Sequence, residues 1–232
     1  MIAMARALSW SIRLLAGFLA LSLLGVVAYR ILPPPVTPLM LVRAVEGEPI
    51  HAPWLAAHDI PPDIVAAVLT SEDQRFCQHH GFDFIEIDKA LEAEEDGRRL
   101  RGASTISQQA ARDLWLLPVR SFVRKGIEAY FTVLIEALWP KWRIAQSYLN
   151  TVEWGPGVYG VEAASQYAFH HPASRLSRHE AALLAAILPN PRRWSAAAPT
   201  AYIRGRAETI LERMGRHEAD TSCVKPLGEQ ME

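Results

Sequence analysis

Sixteen consecutive residues without a charge, Leu14 to Tyr29 (LLAGFLALSLLGVVAY), constrain this chain more than any other feature. With Leu8 to Arg13 before it and Ile31-Leu32 after it, the run reaches the roughly 20 helical residues that a bilayer core needs. Arg13 lies near its start, where a long side chain can snorkel to the headgroups. Arg6 and Arg13 precede the run, and Arg30 and Pro33-Pro34-Pro35 follow it. The basic excess on the amino side places that side in the cytoplasm. A cleaved signal peptide needs a small-x-small site, and no clean one follows the run before the prolines. A buried helix would not carry arginines at both ends and then three prolines. The expectation is an uncleaved single-pass anchor, residues 1–32, then an extracytoplasmic linker, residues 33–50, whose three prolines form a stiff extended spacer.

The chain has 232 residues, half of them hydrophobic, so the part beyond the anchor is ample for one buried core. That excludes a disordered chain, a collagen-like chain and a disulfide-stapled miniprotein. Formal net charge is −1, from 24 basic and 25 acidic residues. Such a balance gives no global attraction to nucleic acid, and none is expected as a partner. Cys77 and Cys223 form no Cys-x-x-Cys, which argues against a structural zinc. Spacing does not say whether they pair, and the polar surroundings of Cys223 argue against a bridge.

Apolar spacings of three and four from Pro61 or Pro62 to Leu69 predict a helix running into Ser71-Glu72-Asp73. Further helices are predicted over Ile85–Leu91, Ser104–Leu116, Ser121–Leu138, Arg143–Leu149, Ala181–Leu188 and Ala201–Met214. Pro140 ends the longest, and Ser177-x-x-Glu180 forms a capping box before the apolar run from Ala181. The charged stretch Glu92 to Arg101 reads as a loop. Gly155-Pro156-Gly157 and Gly160 mark a turn-rich connection. Only Pro38–Val45 alternates like a strand, so the extramembrane part, residues 51–216, is predicted to be mainly α. Residues 217–232 read as a disordered polar tail.

Four segments could carry chemistry. Glu72-Asp73-Gln74-Arg75-Phe76 with His79-His80-Gly81 and Asp83 sets acids and imidazoles at the end of an apolar helix. A carboxylate among apolar neighbours has a raised pKa and makes a better base near neutrality; an ordinary solvated helix end reads the same way. Gly102-Ala103-Ser104-Thr105-Ile106-Ser107-Gln108-Gln109, then Arg112, opens a helix with hydroxyls and amides. Its free N–H groups suit phosphate or sugar oxygens, or Ser and Thr are plain caps. Two adjacent buried glutamines favour a polar ligand. Arg124-Lys125-x-x-Glu128 is either a surface ion pair or an anion site with an acid holding its geometry. Tyr148-Leu149-Asn150 ends a helix before the glycine-rich connection and could equally be a packing element.

In this order the segments resemble the motifs of the peptidoglycan glycosyltransferases, glycosyltransferase family 51. Glu72-Asp73-x-x-Phe76 with His79-x-Gly81 resembles the first motif. Gly102-x-Ser104-Thr105-Ile106-x-Gln108-Gln109 resembles the second, and Arg124-Lys125-x-x-Glu128 the third. Tyr148-Leu149-Asn150 with Gly155, Gly157 and Gly160-Val161 resembles the fourth, and Glu180 to Leu188 with Pro189-Asn190-Pro191 the fifth. The likeness spans about residues 33–195. It is closest to the monofunctional members: the Lys-Thr-Gly of a transpeptidase domain does not occur. Arg112 stands where lysine is usual, Ser107 where threonine is commoner, and Ala145-Gln146 replaces a frequent Leu-Glu.

The resemblance implies a lysozyme-like helical domain with a smaller membrane-proximal lobe. It implies that lipid II is joined to a growing lipid-linked glycan by an inverting β-1,4 transfer, with release of undecaprenyl pyrophosphate. Glu72 is then the general base, since a sugar hydroxyl is a poor nucleophile until its proton is taken. Arg124, with Lys125 and Arg112, stabilises the departing pyrophosphate. Glu128 orients those cations or holds a divalent ion, Mg2+ or Mn2+; no other metal is implied. Asp73, Phe76, His79, Ser104, Thr105, Gln108, Gln109 and Asn150 shape the sugar and phosphate sites. The implied location is a bacterial inner membrane with the catalytic domain in the periplasm, and cell-wall synthesis or division proteins are candidate partners. Two other readings stay open: a lytic transglycosylase or muramidase, whose acid protonates a leaving sugar oxygen, and a non-catalytic anchored adaptor. Leu114–Val119 with Trp115 reads as an interfacial contact or as a helix end in the core.

Overall fold

The structure, a computed structural model, describes residues 2–95, 104–225, 227 and 228. Gly102, Ala103 and most of the charged stretch Glu92–Arg101 lie outside the described residues. Helix α1 (Ile2–Ile31) holds the apolar run as Leu8–Ile31, 24 residues. At 1.5 Å per residue that is about 36 Å, enough to cross a ~30 Å hydrocarbon core with some tilt.

One stripe of α1 docks on the body. Helix α6 (Phe122–Leu138) lies beside it. Ser22 Oγ and Tyr130 OH share a 2.6 Å hydrogen bond, and Phe18 tilts onto the Tyr130 ring at 5.6 Å. Past the end of α6, the Trp139 indole N–H donates to the Val26 carbonyl at 2.8 Å. The two helices run in the same sense, so the amino end of α6 sits alongside the earlier part of the apolar run. There Phe122, Val123, Leu117 and Val119 are exposed, Phe122 almost completely. Trp115 is not free for an interface. It stacks on Phe131 at 4.8 Å and sits 6.0 Å from Tyr29, a packing piece between α1 and α6.

Residues Pro38–Val45 form helix α2, not a strand. Thr37 caps it, accepting from the Met40 N–H at 3.3 Å, and Pro38 takes the first helical position, where no N–H is needed. Helix α3 (Pro62–Glu72) buries Ile64, Val65, Val68 and Leu69. Helix α4 (Phe84–Glu95) follows the turn after it. Helix α5 (Ile106–Trp115) packs between α6 and α7 (Lys141–Thr151).

Strands β1 (Glu153–Gly155) and β2 (Val158–Tyr159) pair antiparallel through the glycine-rich connection. His51 adds a parallel bridge to Val158. Gly157 is required there: its φ is +71°, and a Cβ would lie 2.3 Å from the Pro49 carbonyl oxygen. Helix α8 (Val161–Phe169) leads to α9 (Arg178–Ile187), capped by the expected Ser177–Glu180 box. Every residue from Ala181 to Ile187 is buried, which makes α9 the centre of the core between α3 and α10 (Ala201–Gly215). The protein is mainly α.

The carboxyl-terminal segment is not a disordered tail. Its described residues, 217–225, 227 and 228, fold back as a strap along α3, with a short 3-10 turn at Ser222–Val224; residues 226 and 229–232 lie outside the described residues. Val224 and Leu227 are buried in the main core. Cys223 forms a disulfide with Cys77, contrary to expectation from its polar neighbours.

Candidate active site

The carboxyl end of α3 presents Glu72. Its carboxylate accepts from Gln109 Nε2 at 3.2 Å, and Gln109 Oε1 in turn accepts from the Tyr148 hydroxyl at 3.3 Å. Glu72, Gln109 and Tyr148 thus form one chain across α3, α5 and α7. Burial pushes the Glu72 pKa above the usual glutamate range. The Gln109 bond and the charges of Arg206 and Arg112 hold it down in part, while Asp73 adds to the rise. Tyr148 is driven well above its ordinary value by burial and by the charges of Glu72 and Asp113, so its hydroxyl keeps its proton.

Asp73 ends α3 and ties the following turn to α5. Its carboxylate accepts from the Ile106 N–H at 2.9 Å and from His79 Nε2 at 2.9 Å. His79 Nδ1 accepts from the Gly81 N–H, which leaves the ring proton on Nε2. Phe76 is fully buried and meets the His79 ring edge-on at 6.2 Å. Thr105 donates to the Gly81 carbonyl at 2.6 Å.

Gly81 carries φ +90°, and a Cβ would lie 2.7 Å from Thr132 Cγ2 on α6. Substituting Gly81→Ala therefore combines a left-handed backbone with a clash. The expected cost is about 2 kcal/mol or more, read as a melting temperature several degrees lower. An unchanged melting temperature would show that the turn relaxes freely.

The second motif satisfies itself. Thr105 and Gln108 form a reciprocal capping box, Thr105 N–H to Gln108 Oε1 at 3.0 Å and Gln108 N–H to Thr105 Oγ1 at 3.2 Å. Both glutamines thus have protein partners, and their burial needs no ligand. Ser104 is exposed at the edge of the described residues. Arg112 bonds Asp113 at 2.8 Å; that partner raises its pKa, so the guanidinium stays charged. Asp113 is itself pushed up by burial, against the opposing pull of Arg112.

On α6, Glu128 is buried with both oxygens engaged. Arg124 Nη1 bonds one at 2.6 Å and Lys125 Nζ bonds the other. Arg124 Nε is buried without a protein partner, and the Lys125 side chain is half exposed. Two cations are thus held together by an acid with donors unspent, an arrangement whose chemistry suits an anion. A carboxylate already shared by two cations does not fit a further metal ion at the same oxygens. Among the described residues, Asp73, His79 and Asp83 are the group whose ligand atoms converge, within 4.8 Å of one another. Their atoms are already used: Asp73 and His79 on each other, and Asp83 on Arg75 and on the Ile85 and Glu86 N–H groups.

Asn150 stands apart. Its amide accepts from the Leu55 N–H at 2.7 Å and donates to the Leu55 and Gln146 carbonyls, pinning the segment before α3 onto α7. Asp113, Tyr148 and Arg206 were missed as site residues. Tyr148 was visible as part of a motif, and Asp113 as the acid beside Arg112. Arg206, reaching the Glu72 field from α10, gave no local signal.

The sequence was then compared with known proteins. Residues 40–215 match the family model described as transglycosylase. A biosynthetic peptidoglycan transglycosylase of Rhodospirillum centenum is 52% identical over 213 residues, covering 90% of this chain and 92% of the relative. Proteins of the same description from Caulobacter vibrioides (46%; 91% and 94% covered) and Pseudomonas fluorescens (49%; 90% and 89% covered) are similar along nearly their whole lengths. With the family model covering most of the chain and relatives at this identity over about nine-tenths of both lengths, the chain belongs to the transglycosylase family.

Proposed function

We propose that this protein polymerises lipid II into linear β-1,4 glycan, with Glu72 as the general base. The observation that carries the reading is the pairing of two opposite devices that share a neighbour, the Arg112 charge interacting with both Glu72 and Glu128. A carboxylate with a raised pKa lies at the end of α3, and a cation pair fixed on Glu128 lies on α6. The base takes the proton of the attacking 4-hydroxyl as the glycosidic bond forms. The pyrophosphate leaves with its electron pair, and Arg124 and Lys125 meet the charge that gathers on it. Arg112 adds positive charge to the same field. Glu128 acts as the holder of those cations.

The reading extends to the setting of the enzyme. Helix α1 would span the inner membrane with Arg6 and Arg13 on the cytoplasmic side. The Cys77–Cys223 bridge is in keeping with an oxidising, periplasmic location for the body. The exposed apolar end of α6 would enter the bilayer beside α1, bringing the cleft to substrates held by prenyl tails.

The test is incubation of full-length protein in detergent with labelled lipid II. Long glycan is the expected product; muropeptides released from purified sacculi, with no polymer from lipid II, would point to the lytic chemistry instead. Arg124→Ala should lower kcat by about 10²-fold, the scale of losing one preorganised donor to a developing charge. A KM rise with kcat unchanged would move Arg124 to ground-state binding.

A further inference from the structure

The two cysteines take no part in the chemistry above, yet their bridge lands beside it. Cys77 lies five residues beyond Glu72, inside the turn Asp73–Gly81. Its partner Cys223 sits in the strap, with Cα atoms 5.5 Å apart.

That turn is gripped from two sides. Its ends belong to α5: Asp73 accepts from the Ile106 N–H, and the Gly81 carbonyl accepts from Thr105. Its middle belongs to the strap. Beside the disulfide, Gln74 Nε2 donates to Glu218 at 3.4 Å, and the Cys223 N–H points to Cys77 Sγ at 3.3 Å.

The strap is itself anchored at both ends. It leaves α10 through the His217 N–H bond to the Met214 carbonyl. It finishes with the Gly228 N–H on the Ala57 carbonyl at 3.0 Å, where a Cβ would meet Pro62 Cγ at 2.7 Å. Val224 and Leu227 are buried between these points. The strap thus spans α3 from its acid-bearing end to its first turn.

Helix α3 does not need this bridge to stay in place. Its apolar face is buried against α9 and α10. Of the turn's side chains Phe76 reaches the core, whereas Gln78 and His80 face solvent. A base must be held to within a few tenths of an ångström, and loss of support near it costs rate without unfolding the protein.

We propose that Cys77 and Cys223 are positioning residues for Glu72: the oxidised bridge and its strap hold the acid-bearing turn in its productive geometry, and reduction releases turn and strap together. The proposal rests on Glu72 acting as the base. Reduction by a dithiol such as dithiothreitol breaks the S–S bond. The dithiol supplies two electrons and two protons, both cysteines become thiols, and the dithiol closes to its own cyclic disulfide.

The experiment compares oxidised, dithiothreitol-reduced and reoxidised full-length protein with Cys223→Ser and the double serine variant. Steady-state kcat and KM for lipid II, the pH profile of kcat and amide hydrogen exchange are read on each. Reduction and both variants should lower kcat by about tenfold or more with KM within about twofold. Reoxidation should restore wild-type kcat and leave the double variant unchanged. The acid limb of the profile should move to lower pH in the reduced protein, because a loosened turn lets water reach Glu72. Faster exchange should be confined to residues 73–81 and 217–228.

A kcat within about twofold after complete reduction overturns the proposal. So does faster exchange throughout α5–α9, which would make the bridge a staple of the whole fold. If the oxidised protein makes no polymer at all, the reading of Glu72 as base fails by itself. Exchange then still decides the strap, and unchanged protection of residues 73–81 on reduction would end it.

Discussion

Glu72→Gln is expected to stop glycan polymerisation and, at the same time, to make the protein more stable at neutral pH. The loss follows from the role. A positioned general base contributes about 10²–10⁴-fold, and a glutamine amide cannot accept the proton, so a fall of about 10³-fold is expected, roughly 4 kcal/mol of barrier. The fold should survive, because the amide oxygen can still accept from Gln109 Nε2.

The gain in stability follows from linkage. Burial raises the folded-state pKa of Glu72 above its unfolded value. A carboxyl raised in this way stabilises the fold while protonated, below its unfolded pKa. That contribution is lost as pH rises through the folded pKa. Above it the wild type carries a costly buried charge and the glutamine variant does not. The two melting temperatures should therefore agree in acid and diverge as pH rises, with the variant higher. The wild-type rate should climb over the same interval as the base loses its proton, with an acid limb above the ordinary glutamate range. Polymerisation within about tenfold of wild type would remove Glu72 from the role of base. A variant less stable than wild type at neutral pH would mean that the carboxylate is held by attractions stronger than its burial penalty.

Local signals read correctly from the sequence were those written within one helix. The Ser177–Glu180 box, the stop at Pro140 and the apolar run of α9 depend on neighbours three or four positions away. Helix α2 misled because Pro-Leu-Met-Leu-Val-Arg-Ala-Val is too short for a period of 3.6 to separate from one of 2, and Thr37 with Pro38 settled it as a helix start. The strap misled for a different reason. It carries Val224 and Leu227 among polar residues, too few apolar positions to make a pattern. Its order comes from the face of α3 and from a bridge across 146 positions, which no local rule reports.

The candidate site divides the same way. Glu72, Arg124, Lys125 and Glu128 stood in recognisable spacings. The field at Glu72 also depends on Arg206 from α10 and on Asp113 through Arg112, which only packing brings near. The paired glutamines suggested a ligand because burial of amides is costly. Thr105, Glu72 and Tyr148 meet that cost within the protein.

The anchor is expected to be part of the folded body, and removing residues 1–32 should cost about 3 kcal/mol. Arg143 on α7 is the reason. Its Nε and Nη2 donate to the Tyr29 carbonyl at 3.1 and 2.7 Å, and Nη2 also donates to the Leu32 carbonyl at 2.7 Å. These are the free carbonyls at the carboxyl end of α1, where a cation also meets the negative end of the helix dipole. Burial pushes the Arg143 pKa down to about 10, so the side chain remains charged at neutral pH and needs its partners. Truncation leaves Gln146 and the Trp54 and Trp139 rings beside it, and strips Trp139 of its Val26 acceptor as well. Breaking a buried hydrogen-bonded charge costs about 3–5 kcal/mol. Water entering the vacated groove favours the lower figure, about 6–12 °C in melting temperature for a body of this size. An Arg143→Met change separates this cause from general loss of the helix. In the full-length protein it should destabilise, because the α1 carbonyls lose their donor. In the truncated protein it should be neutral or stabilising, because it removes a charge left without partners. Thermal unfolding of the four proteins in one detergent measures the coupling directly. Equal effects of Arg143→Met in both backgrounds would show that the α1 carbonyls and Arg143 do not depend on each other, and that the anchor serves the body only as a tether.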